Sequence, residues 1–151
     1  MRKFLVVLDD TPECQNAMRY AAMRASRSAG GVVVVAVIPS DEIPHGIGVA
    51  DLMRAEAEER IRSQYNIFAK WMRDKQSVEP ELIIREGDPV QQVLNQIGED
   101  AEIGVIVLGA ASGKGGPGPI VTRLTRDIGV LPCPVTLVPG DISKDRLEAI
   151  T

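Results

Sequence analysis

Aromatic residues are scarce in this chain, at 3% of 151 residues. A core must therefore be filled by Val, Ile, Leu and Ala, and a base-stacking platform for single-stranded nucleic acid is excluded. Excess positive charge is missing as well: 17 Lys and Arg stand against 21 Asp and Glu, a formal net charge of −4. Such a chain lacks the basic footprint that non-specific nucleic-acid binding or an anionic membrane surface requires. Only two cysteines occur, Cys14 and Cys133, with no Cys-x-x-Cys pair. That excludes a disulfide framework and points to two reduced thiols in a cytoplasmic protein. His45 is the single histidine. It supports neither a Ser/His/Asp set nor a metal cluster, so no catalytic apparatus is expected. Long apolar runs are absent too. None approaches the roughly 18 residues of a membrane helix, and the N-terminal run is stopped by Asp9-Asp10 before it resembles a signal peptide.

What is present is ordinary for a globular domain: 44% hydrophobic and 25% charged residues. Continuous β-branched runs, Phe4 to Leu8 and Val32 to Ile38, read as strands buried on both faces. Glu81 to Arg85, Ile103 to Leu108 and Val135 to Val138 complete a set of five. Helical patterns lie between them. Thr11-Pro12-Glu13 predicts a helix start with Thr11 as N-cap, Ala17, Met18, Ala21, Ala22 and Ala25 on its buried face, and a stop at Gly30-Gly31. A long helix over about 50–75 would bury Leu52, Met53, Ala57, Ile61, Tyr65, Phe68 and Met72. Asp88 predicts another N-cap, ahead of Val90, Val93, Leu94 and Ile97, and a fourth helix follows over about 120–128.

Alternating strands and helices imply one doubly wound α/β domain over 1–140, with helices on both faces of a five-stranded parallel sheet of order 3-2-1-4-5. A short polar tail, 141–151, is expected to fray. Ligands of such folds bind outside the C-terminal strand ends where the winding reverses, here expected between strands 1 and 4. Asp9-Asp10-Thr11 and the segment from Gly109 to Pro119 should meet there. That segment holds five glycines and two prolines. Gly113, Gly115 and Gly116 can expose backbone N–H groups as an anion nest beside Lys114, or serve as a plain connector. It is no Walker A loop, because the glycine spacing is short by one and Gly115 follows Lys114 where a hydroxyl residue is needed. Asp9 suits a ribose hydroxyl or a metal beside phosphates, the alternative being a solvent-facing carboxylate; Asp10 reads as a helix cap. His45-Gly46-Ile47-Gly48 is similar to an adenylylating signature but sits after the wrong strand, so His45 is expected to be solvated. The fifth strand carries no lysine or inward charge to block edge pairing, which predicts a two-fold homodimer through Val135 to Val138.

Four segments together resemble the universal stress proteins: Phe4 to Asp9 running into Thr11-Pro12-Glu13; Arg85-Glu86-Gly87-Asp88-Pro89; Val105 to Gly109; and Pro132-Cys133-Pro134-Val135. The resemblance covers nearly the whole chain. It implies a dimer and, in many members, ATP bound between the first and fourth strands through a loop Gly-x-x-Gly-x9-Gly-(Ser or Thr). By position, Asp9 matches the acidic residue near the nucleoside, Val37 the adenine-pocket residue, Gly109 the first loop glycine and Thr122 the final hydroxyl residue. Two features depart from the pattern. Three residues separate Gly109 from Gly113, and Val121 stands where the third glycine belongs.

The expected function is a cytoplasmic, dimeric stress-response protein that binds an adenine nucleotide, ATP or AMP, with Mg2+ accompanying ATP. Asp9, Thr11 and Val37 would hold the nucleoside, and Gly109, Gly113, Gly115, Gly116 and Thr122 the phosphates. A nucleotide-free dimer acting as an interaction module, with an unidentified protein partner, is the alternative. Slow ATP hydrolysis would need a base or metal that the sequence does not supply.

Overall fold

The computed structural model describes residues 1–46 and 48–151. Its frame is a five-stranded parallel sheet of β1 (Lys3–Val7), β2 (Gly31–Ile38), β3 (Glu81–Glu86), β4 (Ile103–Ala110) and β5 (Val135–Pro139). The spatial order is β3-β2-β1-β4-β5, the order expected from the sequence. Val6 of the central strand pairs with Val34 on one side and Val107 on the other. Because side chains alternate across a strand, each apolar run feeds two cores. Leu5, Val7, Val33, Val35, Ile106 and Leu108 face α3 (Pro89–Glu99) and α4 (Pro119–Arg126). Val6, Leu8, Val34, Ala36 and Val107 face α1 (Cys14–Ser28) and α2 (Val49–Gln76). Continuous β-branched sequence is the consequence of burial on both sides.

The buried face of α1 is the one its spacing predicts: Ala17, Met18, Ala21, Ala22 and Ala25 are all sealed from solvent. Its end differs from expectation. Ala29, not glycine, takes the left-handed position at φ 54°, and the N–H groups of Ala29 and Gly30 both donate to Ala25 O. Gly30 is needed for approach: a Cβ there would lie 2.7 Å from Arg2 O.

Helix α2 buries Ala57, Ile61, Ala69 and Met72, whereas Leu52 is 59% exposed and Met53 40%. The expected face was too long. A 28-residue helix spans about 42 Å at 1.5 Å per residue, while the eight residues of β2 span about 26 Å at about 3.3 Å each. The N-terminal turns overhang the sheet.

The tail does not fray in the structure. It forms α5 (Lys144–Ile150), capped by the Ser143 hydroxyl, which accepts from Arg146 N–H at 3.1 Å. Leu147 is fully buried in the α1 layer. Asn16 Nδ2 secures the approach by donating to Gly140 O and Ile142 O at 3.1 and 3.2 Å. A polar composition concealed one well-placed leucine behind a good N-cap.

Candidate functional site

A cleft of about 210 Å3 opens where β1 and β2 end. Its floor is the last turn of both strands, including Val7 and Val37. Ile61 of α2 and Pro39 form one apolar wall; Pro89 and Ile120, in the first turns of α3 and α4, form the other. Polar groups reach the rim from two directions: Asp9 and Asp10 from the β1 loop, Arg60 and Gln64 from α2. Glu42 adds a third carboxylate.

Asp9 is fixed by its own turn. Its Oδ1 accepts from Thr11 N–H at 3.0 Å and also from the Thr11 hydroxyl, an arrangement typical of aspartate at a chain reversal. Burial pushes its carboxyl above the ordinary value, against the opposing pull of the Thr11 bonds. Asp9 is thus half-buried and held by its own turn, and the same bonds correct the reading of Thr11. The threonine orients Asp9 instead of capping α1, whose cap position is Glu13 with no side-chain bond. Thr11 itself lines a neighbouring hollow beside Asp9. Asp10 does not cap the helix either; its Oδ1 accepts from Gln64 Nε2 at 3.0 Å, tying α2 to the β1 loop.

The glycine segment lies at the same end of the sheet but outside this cleft. Gly109 is a packing glycine: a Cβ there would sit 2.6 Å from Glu13 C and 3.2 Å from Cys14 N, and closer still to Glu13 O. The start of α1 fills the junction of β1 and β4, so the cleft opens over β1 and β2 and not over β1 and β4 as expected. Beyond Gly109 the loop closes on itself through Ala111 N–H donating to Pro117 O at 3.0 Å. Gly113, Gly115 and Gly116 face open space, with Gly116 at φ 85° and Gly118 at φ 111°. Thr122 is exposed and its hydroxyl donates to Gly118 O at 2.8 Å. Val121 is 4% exposed and packs into the α3/α4 core, in helical backbone that needs no glycine.

Of the eight residues singled out from the sequence, Asp9 and Val37 thus share the cleft, and Thr11 adjoins it. Gly109 serves packing, Thr122 is bonded within α4, and Gly113, Gly115 and Gly116 stand apart. Arg60 and Gln64 were missed. They flank the buried Ile61 at one-turn spacing on a helix rich in Glu and Arg, where nothing in the sequence marks them out from other solvated charges.

Around the cleft, helix ends are braced by ion pairs. Asp88 caps α3 by accepting from Gln91 N–H at 3.0 Å. Arg123 of α4 donates to both its oxygens, at 2.7 and 2.9 Å, and this guanidinium holds the Asp88 carboxyl below the usual range. Arg54 of α2 grips Glu86 at the end of β3 with donors at 2.6 and 3.0 Å. Among the described residues no three His, Cys, Asp or Glu side chains gather to hold a metal. Cys14 is buried and its thiol is pushed up to about 12, which removes it as a nucleophile. His45 is exposed, as expected; Ile47 of its motif lies outside the described residues. No helix of the described residues is long and apolar enough to cross a membrane.

The model of the universal stress protein family matches residues 1–139 of the chain. Several solved structures share its fold. The universal stress protein UspA from Lactobacillus plantarum superposes with a TM-score of 0.75 at 19% identity, covering 91% of this chain and 97% of that one. A universal stress protein family protein from Arabidopsis thaliana with AMP bound gives 0.62 at 17% identity, covering 97% and 95%. The universal stress protein from Archaeoglobus fulgidus in complex with dAMP gives 0.60 at 22% identity, covering 91% and 97%. No curated protein matches the sequence.

Proposed function

This chain belongs to the universal stress protein family, and from that premise we propose that it binds an adenine nucleotide as a regulatory ligand in a cytoplasmic stress response, by binding and not by catalysis. The observation that carries the reading is the cleft itself. It sits at the C-terminal ends of parallel strands, where folds of this type take ligands. The apolar floor at Val37 and the wall of Pro39 and Ile61 suit a flat base, and Asp9, braced by Thr11, offers a carboxylate to a ribose hydroxyl. Two relatives of the same fold hold AMP and dAMP, which supports an adenine ligand here.

The dimer belongs to the same proposal. Among the described residues β5 is a sheet edge that pairs with β4 alone. Leu137 on it is 44% exposed, and Val130 in the turn leading to it is 82% exposed. Antiparallel pairing with a second copy would cover Leu137 and satisfy the open backbone groups. Sedimentation of the wild type as a dimer, shifted to monomer by Leu137→Lys, tests this; a monomeric wild type at micromolar concentration rejects it.

A second reading, a nucleotide-free interaction module, is favoured by one observation: none of Gly113, Gly115 and Gly116 lines the cleft. Calorimetry decides between them. Adenosine, AMP, ADP and ATP are each titrated, with and without Mg2+. Saturable heat from at least one supports the first reading, and no heat at millimolar ligand leaves the second.

A further inference from the structure

The residues present do not fit a triphosphate. We infer that the cleft selects a nucleoside or nucleoside monophosphate over the triphosphate, with Arg60 of α2 as the cation that meets the single phosphate. This rests on the nucleotide reading above and specifies the ligand class of that same site.

Size and charge set the first limit. At about 210 Å3 the cleft is smaller than the roughly 300–1,000 Å3 of pockets for drug-sized ligands. Its lining bears three carboxylates, Asp9, Asp10 and Glu42, against one cation, Arg60. A phosphate monoester near neutral pH carries about −1.5 to −2. One such group can be met by Arg60, but each further phosphate adds repulsion with the carboxylates and the lining holds no second cation to offset it.

The side chains that would receive further phosphates are bonded elsewhere or lie outside the cleft. The loop from Ala111 to Pro117 is closed by its own backbone bond, and Lys114 is exposed and does not line the cleft. The Thr122 N–H and hydroxyl both donate to Gly118 O, at 3.0 and 2.8 Å. The first turn of α4 begins with Pro119 and that of α3 with Pro89, each lacking an N–H. At α3 the positive end is already answered by the Asp88 carboxylate, which takes Gln91 N–H. Gln64 is bonded to Asp10. Arg60 is different: among the described residues it forms no ion pair, and it reaches the rim beside Gln64, one turn away along α2.

Calorimetry with adenosine, AMP and ATP on the wild type, Arg60→Gln and Lys114→Gln tests this. The wild type should bind AMP at least tenfold tighter than ATP. Arg60→Gln should weaken AMP about tenfold and leave adenosine unchanged, which separates loss of a phosphate contact from general damage. Lys114→Gln should change none of the three. ATP binding as tight as AMP and lost on Lys114→Gln would place phosphates on the glycine loop and overturn the inference while keeping the nucleotide reading. AMP affinity unaffected by Arg60→Gln would also overturn it. No heat from any ligand would remove both.

Discussion

Gly109 offers a direct separation of packing from ligand binding, because both explain a glycine there and they predict different losses. In Gly109→Ala the new Cβ meets backbone atoms of Glu13 and Cys14, 2.6 and 3.2 Å away at Glu13 C and Cys14 N. No flexible side chain can swing aside. Either β4, held between β1 and β5, or the start of α1 must shift by roughly an ångström to restore van der Waals separation. Overpacking of this kind costs about 1–3 kcal/mol, and rigid backbone on both sides argues for about 3 kcal/mol. A domain of 150–250 residues loses about 2–4 °C in Tm per kcal/mol, so Tm should fall by about 6–12 °C. Urea denaturation with an unchanged m value, run beside calorimetric melting, reads the loss. Gly113→Ala is the control: its Cβ enters open space and its φ is not positive, so it should stay within about 0.5 kcal/mol of wild type. If Gly109→Ala is as stable as wild type yet loses nucleotide binding, the packing argument is refuted and the glycine serves the ligand.

Asp9→Asn keeps an oxygen for Thr11 but removes the charge. Burial raises the Asp9 carboxyl, so the folded state holds that proton more tightly than the unfolded chain does. This residue's contribution is therefore greatest at low pH and is lost as pH rises through the raised value. At pH 7 the variant should accordingly be more stable by urea midpoint and bind AMP about tenfold or more weakly, as expected for loss of a hydrogen bond to a charged group; an unchanged affinity would free Asp9 from any ligand role. For the wild type, AMP affinity should drop on acidification through the same window, measured by calorimetry from pH 7 downward. Leu147→Ala, at a fully buried site, should cost about 2–4 kcal/mol in urea, and a negligible loss would mean α5 is not docked. With a colorimetric disulfide reagent on the native protein, Cys133 should react slowly and Cys14 only after unfolding, since burial raises both thiols, Cys14 to about 12. Equal reaction of both would contradict the buried placement of Cys14.

Much of the fold was legible because burial on both faces leaves a plain trace in sequence. Val32 to Val35 has no other comfortable home than the middle of a parallel sheet, and Asp88-Pro89 announces a helix start in two residues. Long-range geometry leaves no such trace. Val121 reads as a broken motif, yet in the structure it is an ordinary core residue on a helix that begins at Pro119. Gly109 reads as a phosphate glycine, but the structure gives it a packing reason that no local pattern carries, the approach of Glu13, a residue far away in the chain. Thr11 looks like an N-cap until the turn of Asp9 claims its hydroxyl. Arg60 was invisible for the opposite reason. It differs from its charged neighbours on α2 in facing the ends of β1 and β2, which no local pattern records.

Backbone amide NMR of the labelled protein during titration with AMP tests the placement of the ligand most directly. Shifts should concentrate at Asp9 and Asp10, at Val37 and Ile38, and around Arg60 to Gln64, while the loop from Ser112 to Gly116 stays still. A saturating titration that moves only the glycine loop, or moves nothing at the ends of β1 and β2, would contradict the cleft as the nucleotide site.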